Sequence, residues 1–143
     1  MDTTRIESRI GVRASADRLW DLIGDFDAWS SWNPYETDVS GRLSVGGHIS
    51  LTEALPGFGR REVSGHLGDW QPLTKLLWSE RRGFLMQSTR YFTIQELEKT
   101  NCILSHGVIF SGLRGELYHD KHRRKILEAY ETLSANLKQV AEA

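Results

Sequence analysis

The residues best equipped for proton chemistry stand on two neighbouring apolar stretches of the 143-residue sequence: Arg90 and Tyr91 within 86–98, and His106 within 102–110. Two-residue alternation places Cys102, Leu104, His106, Val108 and Phe110 on one face of the second stretch and Ile103, Ser105, Gly107 and Ile109 on the other. A histidine among apolar neighbours can exchange a proton with a bound carbonyl or phenol, because its pKa follows its setting. A structural histidine hydrogen-bonded to a neighbouring strand or helix is the simpler reading of the same ring. Arg90 shares a strand face with Phe92 and Ile94. A guanidinium turned inward needs a carboxylate, and Glu53 or an acidic group of a ligand would satisfy it; at an exposed strand end it would need neither.

Other chemistries lack their residues. Cys102 is the only cysteine, which excludes an intrachain disulfide, and its apolar run suits a buried small hydrophobe better than a nucleophile. His119 and His122 stand three apart on an expected helix, but no further ligand follows at structural zinc spacing, so no metal is expected. There is no glycine-rich phosphate loop, no nucleophile elbow and no cysteine–histidine pair in a recognisable context, and no cofactor is expected.

The elements that must position these residues are legible from periodicity. Ile6, Ser8, Ile10 and Val12 alternate with Arg5, Glu7, Arg9 and Arg13, the pattern of a half-covered strand, and Ser15 and Asp17 announce a helix carrying Leu19, Trp20, Leu22 and Ile23. Strands are predicted at 36–40, 48–55, 61–70, 73–82, 86–98 and 102–110, separated by glycine-containing or polar turns. Most are consecutive neighbours, so an antiparallel meander follows. From Glu116 onward, Ile126, Tyr130, Leu133, Leu137 and Val140 form the stripe of one long amphipathic helix. A sheet with one apolar face and one long helix describe an α+β domain; an all-β sandwich would leave that helix without a surface.

Composition bounds the function. With 39% hydrophobic and 26% charged residues and a formal net charge of −1, the chain suits one domain over 1–143 and offers no overall field for nucleic acid. No apolar run approaches the roughly 20 residues that cross a bilayer, so stable membrane insertion is not expected. The opening MDTTRIESRI has no apolar signal core, which points to the cytoplasm. The assembly state is open between monomer and homodimer.

The string from Ala14 to Trp29, ASADRLWDLIGDFDAW, followed by Trp32-Asn33-Pro34, resembles the start of the polyketide cyclase/dehydrase-like branch of the START and Bet v 1-like superfamily, the SRPBCC proteins. Ser40 to Gly46, Leu76-Leu77-Trp78, and His106 through Phe110-Ser111-Gly112 match further family features in order. The resemblance implies a helix-grip fold. In it a curved seven-stranded antiparallel sheet wraps a long C-terminal helix, two short helices follow strand 1, and a pocket lies between sheet and helix. It favours the His106 face as inward, and this chain has Val108 where many relatives carry a glutamate.

Around such a pocket the expected ligand-contacting residues are Trp78, Met86, Arg90, Phe92, Ile94, Leu104, His106, Val108, Phe110 and Tyr130, each of which core packing alone would also explain. Trp29, Trp32 and Phe58 are placed at the cavity mouth, the tryptophans as gate or plug, and Phe58 as a lid between the hinge-permitting Gly57 and Gly59. The leading function is binding, with transport or conversion as extensions, of a small hydrophobic lipid, isoprenoid or polyketide-like aromatic molecule. A cyclase/dehydratase-type enzyme with His106 as acid or base, aided by Arg90 or Tyr91, is one alternative. A regulatory protein-interaction module, which would need an exposed apolar patch, is the other.

Overall fold

The alternating first stretch forms β1 (Arg5–Val12), which buries Ile6, Ser8 and Val12 on one face. A computed structural model describes residues 4–143. Ser15 caps α1 (Ala16–Ile23) by accepting a hydrogen bond from the Arg18 amide at 3.1 Å, and Leu19, Leu22 and Ile23 turn inward. Asp25 caps a short 3-10 helix over Phe26–Ser31 in the same way, through the Asp27 amide.

Six further strands follow: β2 (Glu36–Gly41), β3 (His48–Glu53), β4 (Arg61–Gln71), β5 (Lys75–Arg81), β6 (Gln87–Glu98) and β7 (Asn101–Ser111). All seven join one antiparallel sheet in the order β1-β7-β6-β5-β4-β3-β2, so the meander closes with β1 beside β7, and the two-sheet alternative is excluded. The chain then enters α2 (Leu113–Glu142), three residues before the predicted start. Gly112 makes that turn: at φ +84°, a Cβ there would lie 2.2 Å from the Leu85 carbonyl oxygen, so only glycine fits.

α2 lies along the concave face, with Ile126, Ala129, Tyr130, Leu133, Leu137 and Ala141 turned to the sheet. The apolar core has two lobes. One gathers α1, the 3-10 helix, Trp78 and Phe92 around the C-terminal part of α2; the other gathers Ile6, Leu55, Met86, Val108 and Phe110 around its middle. Arg90 lies at the meeting of the lobes, with its guanidinium carbon 4.9 Å from the Trp78 ring and 4.7 Å from the Tyr130 ring.

Candidate functional site

Strand register assembles a row of charge inside the sheet. Glu36 on β2 stands opposite Glu53 on β3, and Glu53 opposite Arg61 on β4. Glu36 is aimed by Asn33, whose side-chain oxygen accepts from the amides of Tyr35 and Glu36 while its Nδ2 donates to Glu36 Oε1. Arg90, on β6, reaches across and donates to both oxygens of Glu36, at 2.6 and 3.1 Å. Its Nη2 also donates to His106 Nε2 at 2.6 Å, and Glu53 lies 3.6 Å from its Nη1. Arg61 donates to Glu53 at 3.1 Å and to both oxygens of Glu80. The row therefore runs Glu80, Arg61, Glu53, Arg90 and Glu36, ending on a histidine.

Glu36, Arg90 and His106 are buried and Glu53 is half-buried, and their neighbours set the protonation of all four. Burial pushes the Glu36 carboxyl up, but the charge and hydrogen bonds of Arg90, with Asn33, outweigh it and hold Glu36 below the usual carboxylate range. Glu53 moves the other way, because burial and the Glu36 charge together raise it against the pull of Arg90 and Arg61. Burial lowers the Arg90 pKa, yet Glu36 more than restores it, so the guanidinium stays charged. His106 is pushed well below its usual value by burial and then by Arg90. A guanidinium can only donate, so the neutral imidazole accepts at Nε2 and carries its proton on Nδ1, which has no partner among the described residues.

Because folding tightens the hold of Glu53 on its proton, the stabilising contribution is complete below the usual carboxylate range and lost as pH rises through the raised value. Glu53→Gln should remove that loss. The melting temperature of the variant should therefore gain on that of the wild type from about pH 4 to about pH 8, read by thermal unfolding. A constant difference across the range would show that Glu53 ionises normally.

A cavity of about 20 Å³ opens beside the row, bounded by Glu53, Arg61, Glu80 and Arg90 on the sheet side and by Tyr118 and Tyr130 of α2. That is room for about one water. The roomy pocket implied by the resemblance is thus absent from this conformation, because Trp78, Arg90, Phe92, His106 and Tyr130 stack into the space between sheet and helix.

The sequence matches, over residues 3–142, the family described as polyketide cyclase/dehydrase and lipid transport. The chain belongs to that family. Comparison with curated proteins returns no match. Among solved structures, the di-domain ARO/CYC StfQ from the steffimycin biosynthetic pathway aligns with 97% of this chain at 12% identity and a TM-score of 0.77. The present chain spans 50% of StfQ. A START superfamily protein from Mycobacterium smegmatis aligns at 17% identity and a TM-score of 0.75, covering 96% of this chain and 97% of that one. Protein NE0264 from Nitrosomonas europaea aligns at 13% identity and a TM-score of 0.75, covering 98% and 96%. At these identities the likeness is one of fold, and it agrees with the START-like helix grip seen here.

Within this polyketide cyclase-like fold, the sequence-predicted residues separate into groups. Trp78, Arg90, Val108, Phe110 and Tyr130 border the cavity. Phe92, Ile94, Leu104 and His106 lie behind it in the packed core, and Met86 is in the apolar lobe under α2. Trp29 and Trp32 sit at no mouth: both are buried, and their indole N–H groups donate to the carbonyls of Ile23 and Leu22. Phe58 lies elsewhere, against Tyr118 and His122, on a loop where Gly57 and Gly59 take φ of +86° and +72°.

Tyr91, proposed to assist His106, projects from the opposite face of β6 and donates to Glu7. His119 is buried and meets Asp120, and no group of three or more metal-ligating side chains occurs among the described residues. Glu36, Arg61 and Glu80 complete the charged row and Asn33 orients it, and spacing along the sequence does not mark any of the four as a site residue. Asn33 stood in the Trp-Asn-Pro string, and Glu36 in the strand after it, but only register reveals that both belong with Arg90.

Proposed function

We propose that this protein takes up a small ligand with an apolar body and one polar group, the apolar part against Tyr118, Tyr130 and Phe110 and the polar group toward Glu53 and Arg61. The observation that carries the reading is the two-sided lining of the cavity: an ionic row on the sheet and aromatic rings on the helix. A folded core gains little from such a row, since well-packed apolar residues commonly replace buried ion pairs without loss of stability. The family, described by cyclase, dehydrase and lipid-transport roles, fits a hydrophobic-ligand or cyclase-like function. A guest larger than water needs the Phe58 loop and Tyr118 to move, and the backbone at Gly57 and Gly59 allows that motion.

Thermal unfolding with fatty acids, isoprenoids and phenolic aromatics tests the reading. A true ligand at a hundred times its Kd adds about 2.7 kcal/mol to the folded state. Arg61→Met should weaken that stabilisation for ligands bearing an acidic or phenolic group and leave it for the purely apolar. Absence of stabilisation by every class at the solubility limit would reject the proposal.

A conversion of cyclase or dehydratase type is the second reading, favoured by a cavity-facing carboxyl that holds its proton above the usual range. Glu53 would then move the proton, with His106, neutral and capped by Arg90, in a positioning role. If the protein turns over a poly-carbonyl substrate, Glu53→Gln should lower kcat more than His106→Gln; the reverse order would return the acid/base role to His106.

A further inference from the structure

We propose that the end of the molecule formed by residues 81–86 and the first turns of α2 docks on an anionic lipid bilayer. Seven large apolar side chains are exposed among the described residues, and four of them gather here: Phe84 (78% exposed), Leu85, Leu113 and Leu117. Val45 and Leu73 stand singly on other turns, and Leu97 near the end of β6. The four are tied into one surface, because Arg114 donates from its backbone to the Leu85 carbonyl and from Nη1 to the Phe84 carbonyl. A groove of about 450 Å³ runs between residues 83–87 and Gly112, opening onto this surface.

Charge selects the occupant. Residues 81–86 and 113–125 hold seven of the eighteen lysines and arginines but only two of the nineteen acidic residues, in a chain whose net charge is −1. On α2 the spacing of Leu113, Leu117, Lys121 and Arg124 forms one exposed stripe, with Arg114 beside it; Glu116 and Asp120 fall along one flank, and Asp120 is engaged by His119. Apolar side chains bordered by Arg81, Arg114 and Lys121 suit a surface that is apolar within and anionic at its edge, which is the headgroup boundary of an acidic bilayer. A protein partner would not require that excess of positive charge. Tyr118 lines both the outer groove with Leu117 and Lys121 and the inner cavity, so the docked face adjoins the ligand space.

The proposal stands on the surface alone and is tested without a ligand. The full chain is sedimented with vesicles of phosphatidylcholine, and of phosphatidylcholine mixed with phosphatidylglycerol, at low and high salt. Binding should occur with the mixed vesicles, be absent with phosphatidylcholine alone, and fall steeply with salt. Arg114→Gln with Lys121→Gln should weaken it about thirtyfold, at about fivefold per cation. Phe84→Ser with Leu117→Ser should weaken it by more than about tenfold. Unchanged thermal unfolding shows that the variants remain folded, and Lys121→Gln with Arg124→Gln replaces any that does not. No sedimentation at low salt, equal binding to neutral vesicles, or variants that bind like wild type would overturn it. So would a wild-type dimer that the Phe84/Leu117 pair converts to monomer, which would assign the face to a second copy. Thermal shifts by small amphiphiles without vesicles report on the cavity separately, so each reading can fail without the other.

Discussion

Arg90→Leu should lower the unfolding free energy by about 3–5 kcal/mol, among the larger losses any single substitution in this protein will produce. Arg90 is 5% exposed and Glu36 1% exposed, and the guanidinium supplies both hydrogen bonds that compensate the Glu36 carboxylate from its own side. Without it, Glu36 retains Asn33 and the adjacent Glu53 carboxyl as side-chain partners, and no cation compensates its buried charge. The double variant Arg90→Leu/Glu36→Leu should be more stable than Arg90→Leu, because removing both charges removes the desolvation cost of both.

The pH dependence carries the sharper signature. In the wild type the Glu36 pKa is lowered, so its contribution is present above the usual carboxylate range and lost as pH falls through the lowered value. In Arg90→Leu, burial acts without Arg90, the folded-state pKa moves above the unfolded one, and acid should then stabilise the variant. Urea unfolding across pH checks both statements. A loss under about 1 kcal/mol, or a pH profile parallel to that of the wild type, would show that Arg90 does not compensate Glu36.

This ion pair also marks how far the chain could be read without coordinates. Two-residue alternation placed Arg90, Phe92 and Ile94 on one strand face and His106 with Val108 and Phe110 on another, and the sheet keeps both sets inward. The requirement for a carboxylate at Arg90 followed from elementary electrostatics, with Glu53 as the candidate; Glu53 is there at 3.6 Å, but Glu36 holds the closer, two-pronged contact. What alternation cannot supply is register. Glu36 meets Glu53 because β2 pairs with β3 in one frame up to an irregularity between Thr37 and Ser40, where Asp38 takes a φ of +53°. A one-residue slip there would turn Glu36 outward. Nor does periodicity measure the gap between a sheet and the helix lying on it, and so the small cavity was beyond reach. Its size depends on how Trp78, Phe92, His106 and Tyr130 interleave, a property of side-chain packing in three dimensions rather than of spacing along the chain.

Trp29→Ala should cost about 3–5 kcal/mol of stability, and the result bears on function because it separates a plug from a gate. The Trp29 ring contacts Phe26, Trp32, Trp78 and Phe92 at centroid separations of 5.4–5.9 Å, is fully buried, and donates from Nε1 to the Ile23 carbonyl at 2.8 Å. Truncation therefore opens a large void, strands the last carbonyl of α1 and unties the 3-10 helix from the sheet together. A gate residue behaves otherwise: its removal changes how fast a ligand exchanges while the fold persists, because a gate has to leave its packing to open. Phe58, half-buried against Tyr118 and His122 on a loop with two left-handed glycines, is built that way. Phe58→Ala should therefore cost much less in unfolding free energy than Trp29→Ala and accelerate association of any ligand found by thermal shift, measured by stopped-flow fluorescence. If instead Trp29→Ala leaves stability intact and speeds association while Phe58→Ala does not, the opening lies at the tryptophan end, and the route from the basic apolar face through Tyr118 to the charged row is not the one a ligand takes.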